Sequence, residues 1–255
     1  MKKLLLLSAA VLLLGAFSLE AQTQDPFISL WDTDIPTLRK LPEVATDSDI
    51  AIHAIGTNYT IEWIKLKPDT SETPIKNIIT NATSTLGHPY ILKGLPSSGL
   101  YRIKIRAGIG SLEGFYMIDN DLVYDNKRLV RIEHWGNNKW TRLGHAFYKA
   151  RELDLTATDT PDLSIADTIP YMFVSCEKLI DKYSSISMWD VGNITNMSNL
   201  FEGAELFNRP LNDWNTANVT NMSSMFLRAF SYNQPLDKWD VSKVKKMNSM
   251  FQGAN

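Results

Sequence analysis

Asn193-Ile-Thr-Asn-Met197, Asn218-Val-Thr-Asn-Met222 and Lys243-Val-Lys-Lys-Met247 are three copies of one stretch, set 25 residues apart. The same step separates Trp189, Trp214 and Trp239, and Phe201, Phe226 and Phe251. It also separates Ala204, Ala229 and Ala254, Pro210 and Pro235, Leu211 and Leu236, and Phe207 and Tyr232. With Phe as the anchor, two less regular copies appear upstream at Phe147 and Phe173. Trp135 and Pro161 take their Trp position, Leu143 and Ile169 their Met position, Ala150 and Cys176 their Ala position, and Leu153 and Leu179 their second aromatic position. A fixed period in this range means that each unit is one local motif, which buries its apolar side only by stacking on its neighbours.

Met197, Leu200, Phe201 and Ala204 fall at helical spacing, which predicts one short amphipathic helix per unit. Thr195 or Asn196 is placed to cap it, and Gly203 to end it. Asn208-Arg-Pro-Leu-Asn-Asp-Trp214 then turns and extends, with Leu211 and Trp214 pointing inward. So short a helix does not hold alone. Stacked units would bury one Met/Phe/Trp column, with the Ala/Cys position kept small where neighbouring units approach. Seven of the nine Met residues lie from Met172 onward, and the repeat accounts for that skew. Asp190, Asn215 and Asp240, each following the repeat Trp, are expected to stack as a ladder. Each side chain would bond to its own turn backbone, with a calcium-binding column as the alternative.

Phe207-Asn-Arg-Pro-Leu-Asn-Asp-Trp-Asn215 followed by Asn218-Val-Thr-Asn-Met-Ser-Ser-Met-Phe226 resembles the repeat of BspA-like leucine-rich-repeat bacterial surface proteins. Ile132-Glu-His-Trp-Gly136 and Ala157-Thr-Asp-Thr-Pro-Asp-Leu-Ser164 resemble entry units of that family, so the likeness spans roughly residues 132–255. The resemblance implies a leucine-rich-repeat-like α/β solenoid, exposed or secreted, that works by adhesion and has no catalytic residues. It also implies that the unit at Gln252-Gly-Ala-Asn255 is incomplete.

Residues 26–115 follow another pattern. Ile50-Ala-Ile-His-Ala-Ile55 places Ile50 and Ile52 on one face, and Tyr59-Thr-Ile-Glu-Trp63 alternates Tyr59, Ile61 and Trp63 against Thr60 and Glu62. Tyr101-Arg-Ile-Lys-Ile-Arg106 alternates again, with Arg102, Lys104 and Arg106 outward. Alternation marks half-buried strands, and the turn-rich stretches 67–74 and 95–100 separate them. Tyr59–Trp63 and Gly99-Leu-Tyr-Arg-Ile103 resemble strands of the PKD-like modules of bacterial surface proteins. The expected class is therefore α+β multidomain, with an immunoglobulin/PKD-like β-sandwich at 26–115, a connecting segment at 116–134 and an α/β solenoid of about five repeats at 135–255.

The chemistry found in the sequence is sparse. Of 255 residues, 44% are hydrophobic and 21% charged, with a net charge of −2, which disfavours nucleic acid as a partner. His53, His88, His134 and His145 show no metal-ligand spacing. Cys176, the lone cysteine, sits at the small core position of its unit and reads as a replacement for Ala. Gly108-Ile-Gly110 lacks the further Gly and Lys of a phosphate loop. No catalytic residue, cofactor or metal is expected. The expected function is non-enzymatic adhesion through the exposed repeat face, towards an extracellular protein or polysaccharide. Candidate contact positions vary between copies: Glu202/Leu227/Gln252, Glu205/Phe230 and Asn193/Asn218/Lys243. A carbohydrate-binding or enzyme-accessory protein, with recognition in the sandwich and the repeats as a spacer, is the other reading. Lys2 and Lys3 ahead of the apolar run Leu4–Leu14 predict a signal peptide over residues 1–21 and a mature chain without a transmembrane span. N-terminal sequencing of the exported chain is expected to begin at Gln22; retention of Met1 on an exported product would contradict that reading.

Overall fold

A computed structural model describes residues 24–35, 49–67, 72–86, 88–117 and 126–254. The leader expected at 1–21 lies outside these residues. Nine strands are assigned among them: β1 (Phe27–Asp32), β2 (Ile50–Ile52), β3 (Ala54–Leu66), β4 (Glu72–Ser84), β5 (Tyr90–Leu92), β6 (Leu100–Arg106), β7 (Ser111–Phe115), β8 (Leu129–His134) and β9 (Asp154–Leu155). Seven of them form one sheet in the order β4-β3-β6-β1-β8-β9, with β7 also paired to β3, while β2 and β5 make a separate antiparallel pair.

The alternation in β6 is realised as read: Tyr101, Ile103 and Ile105 are buried, while Arg102, Lys104 and Arg106 are half-buried on the other face. Tyr59, Ile61 and Trp63 are buried on β3. Glu62, expected to point to solvent, is also buried, and its carboxylate lies 3.8 Å from Lys104 Nζ and 3.4 Å from Arg106 Nη1. Those cations on the paired strand offset the cost of removing the charge from water. The stretch Ile50–Ile55 is not one strand. The chain changes sheets at His53, so Ile50 and Ile52 pair with β5 while β3 begins at Ala54.

The repeat region requires a correction. No α-helix is present among the described residues, so neither the α+β class nor the α/β solenoid holds. The residues expected to be helical are instead tight turns whose backbone bonds go two ways. The N–H groups of Met197, Asn199, Phe201 and Gly203 donate to the carbonyls of Asn221, Ser223, Met225 and Leu227 in the next coil, at 2.8–2.9 Å. The intervening N–H groups of Leu200, Glu202 and Ala204 donate three residues back within the coil, to Met197, Asn199 and Phe201. An α-helix spends all these donors four residues back and leaves none for a neighbour. The turns need left-handed residues at two places per coil, and Asn199 (φ 58°) and Gly203 (φ 66°) supply them here. Spacing alone misleads because three-residue turns also carry Met197, Leu200, Phe201 and Ala204 to the same side, and all four are fully buried.

The multidomain part of the expectation changes as well. One hydrophobic cluster runs from Phe27 through Trp135 and Phe147 to Met250. β8, from the segment expected to connect the two parts, pairs antiparallel with β1 and parallel with β9 of the first coil. β7 continues into the stack in the same way: Gly114 bridges Arg142 in parallel, and Phe115 and Met117 donate to the carbonyls of Arg142 and His145. Parallel bridges then run Thr168–Asn196, Asn196–Asn221 and Asn221–Lys246. The sheet is thus the first layer of the stack.

That junction leaves no room at Gly114, where a Cβ would lie 1.7 Å from the carbonyl oxygen of Arg142. Gly114→Ala is expected to cost about 2 kcal/mol of stability through forced separation of β7 from the first coil. Urea unfolding gives the loss, and hydrogen exchange should accelerate at the Phe115 and Met117 amides. An unchanged midpoint would show that the junction yields freely.

Candidate functional site: the coil stack and its outer face

Inside the stack, equivalent side chains lie over one another. Phe173 and Phe201 stack with centroids 5.8 Å apart and planes 1° from parallel, followed by Phe201–Phe226 at 5.7 Å and Phe226–Phe251 at 5.5 Å. Phe207–Tyr232 (6.0 Å) and Trp214–Trp239 (6.5 Å) form parallel columns. Each indole also stitches coils together: Trp214 Nε1 donates to Ile186 O at 2.9 Å and Trp239 Nε1 to Leu211 O at 2.8 Å. Trp189, after the longer unit, has no such partner for its Nε1. Cys176 is fully buried, its thiol 3.2 Å from Phe147 O, and burial pushes its pKa well up. A neutral, enclosed thiol is a poor nucleophile, so Cys176 sits with Ala150, Ala204 and Ala229 as packing.

The ladder of Asp190, Asn215 and Asp240 closes turns. Their Oδ1 atoms accept from the N–H groups of Gly192 (3.1 Å), Ala217 (3.2 Å) and Ser242 (2.9 Å). Asp162 plays the same part for Ser164 N at 2.9 Å. A second ladder, Asn196 and Asn221, accepts from Ser198 N and Ser223 N at 3.0 Å. Its regularity shows in sequence only once a turn, in place of a helix, is placed there.

The three sets of variable positions lie at the surface, half-buried or exposed. One of them is also structural: Asn193 Nδ2 donates to Ser164 O, Asn218 Nδ2 to Gly192 O, and Lys243 Nζ to Asn218 Oδ1, all at 2.8–2.9 Å. Glu202 accepts from Asn199 Nδ2 at 2.6 Å, whereas Glu205 and Phe230 project into solvent. The outer face therefore offers a shallow, regular surface with alternating acidic, amide and apolar groups.

The histidines lie apart in role. His88 is exposed in a bridge to Thr85, and His53 is buried between β2 and β3. The His134 ring lies 3.3 Å from the Asp159 carboxylate, which itself accepts from Trp135 N and Gly136 N. His145 packs among tyrosines. Among the described residues no group of three or more His, Cys, Asp or Glu is placed to hold a metal ion, and no helix is long and apolar enough to cross a membrane.

The turn-closing carboxylates carry a pH signature. Hydrogen bonds from Ser164 and Ser242 hold the Asp162 and Asp240 carboxyls below their ordinary pKa. A lowered carboxyl pKa contributes stability at pH above about 4, and that contribution is lost as acid protonates the folded form. Asp240→Asn, which copies Asn215 and keeps the turn bond without its charge, should lose that contribution near neutrality and so show a shallower fall between about pH 5 and 2. Urea midpoints across that range read the difference; parallel curves for the two proteins would remove Asp240 from the turn.

Residues 129–255 match a family described as "Mycoplasma protein of unknown function, DUF285". The match starts at the first residue of β8 and takes in every coil. No curated protein and no solved structure matches the chain.

Proposed function

We propose that the chain is a non-enzymatic binding protein, secreted or displayed at a bacterial surface, that engages an extracellular protein or polysaccharide on the outer face of its coil stack. One observation carries this reading: the anchors of the coils from Phe147 to Phe226 are spent inside, while Glu202/Leu227/Gln252 and Glu205/Phe230 change chemistry from coil to coil at the surface. Where side chains are free of packing duty and ride on a rigid frame, recognition is the use such a frame suits best. The sequence likeness of 207–226 to repeats of bacterial surface adhesins points the same way, as does the apolar run behind Lys2 and Lys3, which suits export.

A broad, shallow face binds by spread contacts, so no single side chain should carry all of the affinity. The full mature chain, applied to arrays of printed glycans and immobilised extracellular matrix proteins, should bind a restricted subset. Phe230→Asp together with Leu227→Asp should weaken that binding at least tenfold without shifting the melting temperature. An array with no bound spot, or binding indifferent to the double variant, would overturn the proposed use of this face.

A further inference from the structure

On the first two coils the outer face changes character. Each coil places a left-handed residue two positions before its anchor Phe, and the regular coils put Asn199 (φ 58°), Ser224 (φ 54°) and Ser249 (φ 55°) there. The first two coils put His145 (φ 61°) and Tyr171 (φ 59°) there instead. A tyrosine is poorly suited to that backbone region, which Asn and His adopt more readily. The core beneath is already filled by the fully buried Leu143, Phe147, Ile169 and Phe173, so these two rings lie on the outer side of it.

The two rings stack, centroids 4.6 Å apart and planes 13° from parallel. Tyr116, next to β7, comes within 5.3 Å of His145, and Tyr148 within 5.8 Å. Lys149 Nζ stands 5.3 Å over the Tyr148 ring. All four residues are half-buried, and burial lowers the His145 pKa, which favours a neutral imidazole at pH 7. The backbone under them is fixed by the seam, through Met117 N to His145 O (2.9 Å), His145 N to Pro170 O (3.0 Å) and Tyr171 N to Ser198 O (3.0 Å).

We infer that Tyr116, His145, Tyr148 and Tyr171 form a preorganised platform for the rings of a neutral polysaccharide. A pyranose has an apolar C–H face and a hydroxyl rim. Neutral aromatic rings meet the first, and phenolic and imidazole groups at their edges reach the second. A rigid platform binds without the loss of freedom that ordering a loop would cost. The inference rests on the proposal that the chain is a binding protein, and it adds a contact surface on the first two coils to the one on the regular coils.

Native gels cast with laminarin, galactomannan or hydroxyethyl cellulose test it with the full mature chain. At least one polymer should retard the wild-type protein, and Tyr148→Ala and Tyr171→Ala should each weaken that association at least tenfold. Tyr183→Ala, at an exposed tyrosine outside the cluster, should not change it. Tyr148→Phe, which keeps the ring, should retain most of the retardation, separating loss of the face from loss of fold. No retardation by any of the three polymers overturns the platform, as does retardation indifferent to Tyr148→Ala and Tyr171→Ala. If those variants still bind their array targets while the gels show nothing, the platform falls and the general binding function stands.

Discussion

The structure depends on where alternate backbone N–H groups of each coil find their acceptors. Met197, Asn199, Phe201 and Gly203 give theirs to the next coil, and Met222, Ser224, Phe226 and Arg228 repeat the pattern one coil on. Buried backbone donors must be paired, so a coil of this kind is complete only with a neighbour in register. That demand fixes the spacing within each turn stretch, where one inserted residue would put a core side chain outside; the longer steps from Phe147 to Phe173 and from Phe173 to Phe201 place their extra residues elsewhere in the coil. It also sets the aromatic columns, whose near-parallel rings follow from coils held at a common separation. Each stacked pair adds on the order of 0.5–1.5 kcal/mol beyond the area it buries.

The inward set of the repeat was legible in the sequence almost residue by residue. Met197, Leu200, Phe201, Ala204, Leu211 and Trp214, the residues whose spacing points inward, are all buried. The element was not legible, because spacing of three and four residues is shared by an α-helix and by a run of tight turns. The signal that distinguishes them is weak: Asn, Ser and Gly recur at two sites four residues apart, where a helix favours Ala, Leu or Glu. Nor could the sequence show that β7 and β8 belong to the stack. Ser111–Phe115 is short, and nothing in it records that Gly114 must admit Arg142 so closely. Glu62 was misread because alternation shows which face a residue occupies but not whether charges on the next strand cover that face.

The outer face was the least legible part. Variable positions could be found by comparing copies, yet Asn193, Asn218 and Lys243 vary while still tying coils together. Conversely, the cluster around His145 lies in the two irregular copies, where alignment to the regular ones is weakest, and Tyr116 lies outside the repeat. Its members are 55 residues apart at the extremes, from Tyr116 to Tyr171, and only the continuation of β7 into the coils brings them together.

The direction of the inter-coil bonds gives the molecule a mechanical grain. Tension along the stack loads each seam end-on, and each coil is held by its neighbours alone, so coils would peel away singly at modest force. Tension along β1 and β6 would instead shear the six-residue register from Phe27–Ile105 to Asp32–Leu100, so that its bonds resist together. The sheet and the coils therefore meet a pull with different resistance, the one yielding register by register and the other coil by coil.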